Sequence, residues 1–432
     1  MLRSGLAARS LLWHSMGHGW LRDGATQDGL VLMIDGELEA FPFRLEPDDF
    51  GTPSRLYQRR AGSGLARIKL PSGDHAYLVL AHDEVELVLK DRRFSRNFRY
   101  PGAPRMVAEE DLSSHPDAIV NLDPPEHTRL RRTIQGSFRP RHAAAWRPAV
   151  ERIVGDLLDG MISAGPPADL VAAYASLLPI RVMCELLDIP ADDQASLISW
   201  TGIFFSTAGV STQQRIQAGI ALLTYVRDLV TERRAAPGAG IVDELVVARD
   251  VDESLSEGEL YQMISALFIG GQENTAAILA RGVFALLRNP DWYAALCGDP
   301  SLLPTAVEEM LRFEVASEGA FLRVATCDVE LPSGVIPAGS AVQVSIPAAN
   351  RDPEWFTEPD VFDLHRAQNP HVTFGAGAHY CPGAPLARLE LQIALDGLTT
   401  RLPGLRLATD PDQVRYAQDT LVRALISLPV TW

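Results

Sequence analysis

Residues 374–383 read Phe374-Gly375-Ala376-Gly377-Ala378-His379-Tyr380-Cys381-Pro382-Gly383. The glycines beside this cysteine let the chain turn tightly and point backbone N–H groups at the sulfur, because glycine has no Cβ to clash. A helical pattern opens directly afterwards, near Ala384, and runs to about residue 402. The positive end of such a helix favours a thiolate over a thiol. For an isolated cysteine, a buried free thiol after a glycine turn is the ordinary reading, and the FGxGxHxCxG spacing argues against it. A dinucleotide loop fits poorly, since the third glycine and its strand-to-helix context are missing.

A thiolate held in this way can be the axial ligand of haem iron, donating electron density that favours O–O cleavage. Composition allows a body large enough to bury such a group. The 432 residues are 47% apolar and 22% charged, as expected for a globular protein with a large core. Lys and Arg number 39 against 55 Asp and Glu, a net charge of −16 that disfavours nucleic acid and anionic membrane as partners. Cys184, Cys297, Cys327 and Cys381 are far apart and form no CxxC pair, against a disulfide framework or a structural zinc site. The short apolar patch Leu11-Leu12-Trp13 is broken by His14, Ser15, Gly17 and His18, and no run of roughly 18 apolar residues exists to span a bilayer. The expected location is cytoplasmic.

Organisation follows from periodicity. Residues 1–50 read as an N-terminal extension, either a cap or a loosely ordered tail, and residues 51–432 as one catalytic domain. Two β-prone runs in 65–80 flank Ser72-Gly73-Asp74, a hairpin signal, and a helix is predicted at 82–90. Helices are predicted at 126–136, 147–163, 173–187, 191–206, 212–234, 256–288, 301–313 and 384–402. The long helix at 256–288 opens on a capping box, Ser256 with Glu259, and is apolar on most faces through Met263 to Ile269, so it should cross the interior. Strands are expected within 322–346 about the turn Pro332-Ser333-Gly334, then a loop over 350–380 and short strands to Trp432. The fold class is mainly α with small β-sheets.

With these motifs in place, the sequence resembles the cytochrome P450 family, soluble bacterial type, over roughly residues 65–432. The resemblance implies a single domain with haem b between the long central helix and the Cys381 loop. Glu309 and Arg312 match the family's ExxR pair, and Arg351 matches its third partner, implying a buried structural ion network. His127 and Arg131 share one helix face at i, i+4 and suit the haem propionates, the arginine giving forked hydrogen bonds. Arg323 and His379 match two further propionate contacts. Arg129, Arg131, Arg132, Arg139 and Arg141 crowd a short window of an acidic chain. They form either a solvated helix face or, as the resemblance implies, the border of a docking face for an acidic ferredoxin or flavodoxin-like electron donor. Electrons from NAD(P)H would then arrive indirectly, through that donor and its reductase.

Gly270-Gly271-Gln272-Glu273-Asn274-Thr275 aligns with the family's oxygen-side motif, (A/G)-G-x-(D/E)-T. The two glycines are read as leaving room for oxygen and substrate. Glu273 can feed protons through water. The family usually has Thr where this chain has Asn274, and Thr275 cannot substitute, being about 100° further round the helix. A carboxamide both donates and accepts, so Asn274 could still position water. A hydroxyl or amide of the substrate could instead complete the relay, or the chemistry could differ from hydroxylation; a tolerated variant with unaltered activity is equally open. By resemblance, the pocket is lined by 98–121, Trp200 to Phe205, Ala266 to Gly270, 315–321 and Asp419 to Val422. Glu318 in that lining could bind a cationic or N–H group or point to solvent.

These readings converge on a haem-thiolate monooxygenase. It is expected to oxidise a C–H bond of a small molecule or carrier-bound intermediate, in bacterial secondary metabolism. Cys381 binds iron, Glu273 and Asn274 handle protons, and His127, Arg131, Arg323 and His379 hold haem. The alternatives are an oxidative C–C or C–N coupling enzyme on the same scaffold and a non-catalytic haem sensor.

Overall fold

The computed structural model describes residues 33–34, 37–43, 65–97, 104–106, 115, 117–207, 209–238, 240–319 and 321–432. Most of the 1–50 extension and of the predicted pocket loop 98–121 lies outside the described residues.

The hairpin forms where the sequence placed it. Strand β3 (Ala66–Lys69) pairs antiparallel with β4 (His75–Val79), Lys69 opposite His75, and Gly73 takes φ +91° in the turn. The strands β1 (Met33–Ile34) and β2 (Glu37–Ala40) continue the sheet on one side, β2 running parallel to β3. On the other side stand β5 (Phe94–Ser95), β7 (Arg323–Ala325) and β10 (Ala341–Val344), giving the order β1-β2-β3-β4-β10-β7-β5. The second predicted turn joins β8 (Val329–Leu331) to β9 (Gly334–Ile336). A three-stranded sheet near the C-terminus takes in β6 (Ala168–Asp169), β11 (Arg406–Leu407) and β12 (Pro429–Thr431).

Helices make up the larger body: α1 (His82–Lys90), α2 (Glu126–Gln135), α3 (Pro140–Ala145), α4 (Arg147–Ala164), α5 (Leu177–Leu186), α6 (Gln194–Phe205) and α7 (Thr212–Ala235) come first. Then follow α8 (Ile241–Asp250), α9 (Glu257–Arg288), α10 (Pro290–Gly298), α11 (Leu303–Phe313), α12 (Ile346–Ala349) and α13 (Ala384–Arg401). At about 1.5 Å per residue, the 32 residues of α9 extend about 48 Å. Its capping box is present: Glu259 N donates to Ser256 Oγ at 3.2 Å, and Ser256 N to Glu259 Oε2 at 2.8 Å. Leu260, Ile264, Phe268, Leu279, Val283 and Phe284 are all buried, so α9 runs through the main core and packs on α5, α7 and α13.

Four described helices lie outside the predicted set, the shortest being α12, one turn between the expected strands and the expected loop. Helix α8 is short and follows a Pro/Gly stretch that reads as loop; Asp243 nucleates it by accepting from the N–H groups of Gly238 (2.7 Å) and Gly240 (3.0 Å). Helices α3 and α10 each begin at a proline that also reads as a stop. The expected 173–187 helix is α-wound only from Leu177, with a π-turn over Val171–Ala175 before it.

Candidate functional site

The Cys381 loop is tied to itself and to α1. Cys381 N donates to Phe374 O at 2.9 Å, and Gly375 N to Val372 O at 2.8 Å. Gly375 and Gly377 sit at φ +71° and +70°. A Cβ on Gly377 would also lie 2.8 Å from the Leu89 carbonyl oxygen, so both conformation and space require glycine there. Cys381 then meets the start of α13. Burial pushes its thiol pKa up, while N–H groups of Gly383 and Ala384 and the guanidiniums of Arg131 and Arg388 act against that and favour the thiolate.

Beside this loop lies a pocket of cationic and imidazole groups. The rings of His127 on α2 and His379 stand 4.2 Å apart, tilted by 43°. His127 Nδ1, His379 Nε2 and Arg323 Nε are buried atoms without a hydrogen-bond partner among the described residues. Arg131, one turn along α2, donates to the Tyr380 carbonyl at 2.6 Å, bracing the residue before Cys381. Burial, reinforced by neighbouring cations, lowers His127 to about 4 and His379 to about 2. Burial also lowers Arg323 to about 10. Donors concentrated like this, with atoms unsatisfied, are built to receive an anion. The set suits a planar dianion whose carboxylates lie beside a sulfur ligand, so the residues present fit haem.

One member escaped the sequence reading. Arg96 is buried; burial first, and then the nearby charge of Arg323, lower its pKa, and Asp123 partly offsets this. Its Nε donates to Val120 O at 2.7 Å and its Nη2 to Asn121 Oδ1 at 2.8 Å. The available signal was the run Arg92-Arg93-Phe94-Ser95-Arg96 in an acidic chain, which resembles an exposed charge cluster.

The ion network behind the loop forms with a different third partner. Glu309 accepts from Arg312 Nε and Nη2, each at 2.7 Å, from Arg366 Nε at 3.2 and 3.1 Å, and from Asp363 N at 2.8 Å. Arg351 does not reach Glu309; it donates to Phe313 O at 2.9 Å, stacks on the Phe313 ring at 3.8 Å and faces Asp360 at 3.6 Å. The third arginine is therefore Arg366. Chain direction decides this: Arg366 lies on the segment that passes directly over Glu309.

On α9, Glu273 and Asn274 are both half-buried and without a hydrogen-bond partner among the described residues. Burial raises the Glu273 pKa. Gly270 faces open space, as expected, but Gly271 does not: its Cβ would meet Met183 Sδ at 2.4 Å. The second glycine serves helix packing against α5. Gln272 is buried and accepts from Thr201 Oγ1 on α6 at 3.1 Å.

The other predicted walls converge. Leu421 N donates to Phe205 O at 2.8 Å, Thr207 N to Asp419 O at 2.7 Å, and Ser317 bridges Val422. Glu318 neither lines an open pocket nor faces solvent. It is buried in an ion pair with Arg423, and accepts from Phe43 N at 2.8 Å. In the basic window, Arg132, Arg139 and Arg141 are exposed, whereas Arg129 pairs with Glu259.

A mainly α fold, with a glycine-turned cysteine loop beside a pocket of unsatisfied cationic and imidazole donors, fits the haem-thiolate oxygenase class. The family profile described as Cytochrome P450 matches residues 300–414. Nocardicin C N-oxygenase of Nocardia uniformis subsp. tsuyamanensis is 44% identical over 377 residues, 86% of this chain and 94% of that protein. Mycinamicin IV hydroxylase/epoxidase of Micromonospora griseorubida is 39% identical over 93% of this chain and 100% of its own length. The crystal structure of the putative thioether synthase SgvP, from the tailoring step of griseoviridin, superposes with a TM-score of 0.87 at 37% identity, over 92% of this chain and 100% of that one. The chain belongs to the cytochrome P450 family. It is a P450 monooxygenase with haem b as cofactor, supplied with electrons indirectly. No described helix is long and apolar enough to cross a membrane.

Proposed function

We propose that this enzyme oxygenates a C–H bond of a small molecule or carrier-bound intermediate in bacterial secondary metabolism. The relatives named above, which act on nocardicin C and mycinamicin IV, support the substrate class. Bound haem supplies dioxygen activation at its iron, using two electrons that start on NAD(P)H. Cys381 is the iron ligand, its thiolate favoured by the Gly383 and Ala384 N–H groups and by Arg131 and Arg388. His127, Arg131, Arg323 and His379 receive the propionates, joined by Arg96.

Glu273 holds a proton on its carboxyl and passes it through water to the oxygen side. Its raised pKa keeps it protonated to higher pH than an exposed carboxylate. Asn274 positions that water by donating and accepting at once. The exposed Arg132, Arg139 and Arg141 offer an acidic ferredoxin or flavodoxin-like protein a docking face, and electrostatic attraction would speed the encounter.

The observation that carries the reading is the pocket of unsatisfied His127, His379 and Arg323 atoms beside the Cys381 loop. The deciding test is the Soret band of the reduced carbon monoxide complex: red-shifted in the wild type and unshifted in Cys381→Ser. An unshifted wild-type band would overturn the ligand assignment. Oxidative coupling is the second reading, favoured by Asn274 in place of threonine and by the likeness to a putative thioether synthase. Product mass separates the two, since oxygenation adds one oxygen and coupling removes two hydrogens.

A further inference from the structure

The segment Glu314-Val315-Ala316-Ser317-Glu318 leaves the end of α11 and leads to Arg323 in the anion-receiving pocket. It carries an acid at each end, and each acid is buried against a buried arginine. Glu314 pairs with Arg281 of α9, Oε2 lying 2.9 Å from both Nε and Nη2. Glu318 pairs with Arg423, in a C-terminal hairpin closed by Ala417 N donating to Ala424 O at 2.8 Å and Ile426 N to Arg415 O at 2.9 Å.

The two pairs are joined. Arg281 Nη1 donates to the Arg423 carbonyl at 3.2 Å, and Arg423 N donates to the Ala316 carbonyl at 2.8 Å. Arg423 Nη2 also donates to Phe43 O at 2.5 Å while Glu318 Oε2 accepts from Phe43 N at 2.8 Å, so both main-chain groups of one distant residue are held by the same pair. Contacts then close a ring: α9 to this segment, the segment to the hairpin, Leu421 to Phe205 on α6, and Thr201 of α6 back to Gln272 of α9.

A hydrophobic filling of equal volume would stabilise these positions at least as well, since two desolvated charges repay their burial only with good geometry. Directional, charge-assisted hydrogen bonds do what such a filling cannot: they fix register between segments far apart in sequence. We propose that the linked pairs Arg281–Glu314 and Arg423–Glu318 form one positioning device, setting the distance of residues 315–317 from α9 and hence the size of ligand the pocket accepts. Neither pair touches the reacting atoms. The inference rests on the haem-thiolate reading of the site.

The test uses haem-loaded full-length enzyme with two azoles that ligate haem iron, imidazole and the bulky clotrimazole, followed by Soret titration. In Arg423→Met and Glu318→Gln, the reduced carbon monoxide band stays red-shifted and imidazole affinity stays within about twofold of wild type, whereas clotrimazole weakens at least about tenfold. Arg423→Lys, which keeps the charge and loses the planar guanidinium, falls between. Should Arg423→Met not hold haem, Glu318→Gln decides, because its carboxamide still accepts from Phe43 N. Unchanged clotrimazole binding, or equal weakening of both azoles, overturns the device. A wild type lacking the red-shifted band would instead overturn the underlying haem-thiolate reading.

Discussion

Gly271 in α9 stands against Met183 in α5 with no room for a side chain: a Cβ would lie 2.4 Å from Met183 Sδ and 2.8 Å from its Cγ. Met183 is itself buried, so it cannot swing into solvent. Overpacking of this kind costs about 1–3 kcal/mol, more than the gain from replacing a helical glycine. Gly270, one position earlier, has nothing within 4 Å of its Cβ position. Gly270→Ala should therefore stabilise by up to about 1 kcal/mol, while Gly271→Ala destabilises. Urea unfolding of the two variants gives the comparison, and equal effects would show that Gly271 is not a packing residue.

Arg366 and Arg351 provide a second contrast. Arg366 donates from its Nε to both oxygens of the fully buried Glu309, and from its other nitrogens to the carbonyls of Thr357, Glu358 and Val361. Removing one partner of a buried ion network costs about 3–5 kcal/mol, because the remaining charge stays desolvated. Arg366→Ala should lose that much or fail to retain haem. Arg351→Ala gives up one carbonyl contact, a ring stack and an ion pair to the exposed Asp360, a smaller loss. Thermal unfolding followed at the Soret band ranks the two. The reverse order would contradict the assignment of Arg366.

The contrast also shows what the amino-acid pattern could carry. The ends of α1, α7 and α9 were legible because they depend on local features: a run of helical residues, a capping serine and a periodic apolar face. The Cys381 loop was legible for the same reason, since its glycines act on their immediate neighbours. The partner of Glu309 was not, because Arg351 and Arg366 stand equally free in the sequence and only the path of the loop brings one to the carboxylate. Glu318 escaped likewise. Nothing local announces that Arg423, more than 100 residues away, will bury it.

Glu308, next to Glu309 but facing the other way, governs an acid-sensitive contact. Burial alone would raise its pKa, but hydrogen bonds from His371 and Arg388 outweigh this and hold it at about 2, against an ordinary 4.5. The unfolded chain therefore binds this proton more readily than the folded one. The stabilisation is complete above about 4.5 and is lost as pH falls towards 2. Because the carboxylate is partly exposed, screening limits the contribution to about 1 kcal/mol. Glu308→Gln should be less stable at neutral pH and lose less on acidification. Urea midpoints between pH 6 and the lowest pH at which the fold survives test it; parallel curves for the two proteins would exclude this role.

Glu273 is the acid whose loss should affect chemistry and leave the fold intact. It is half-buried on α9, burial raises its pKa, and no partner among the described residues would be orphaned by its removal. Glu273→Gln keeps the shape and removes the ionisable proton. Turnover should fall by about 10²–10⁴-fold, the usual worth of a positioned general acid, with the substrate-induced Soret shift and its affinity unchanged. A group with a raised pKa stays protonated further up the pH scale, so wild-type turnover declines on the alkaline side as Glu273 ionises, and the Gln variant lacks that limb. Asn274→Thr puts a hydroxyl at the position where Thr275 cannot supply one, and product formed per NAD(P)H consumed should rise if water is held mainly by the protein. If Asn274→Thr leaves that ratio unchanged while Glu273→Gln abolishes turnover, the substrate itself supplies the second hydrogen-bonding group, and a substrate analogue without its hydroxyl or amide should then bind without being oxygenated.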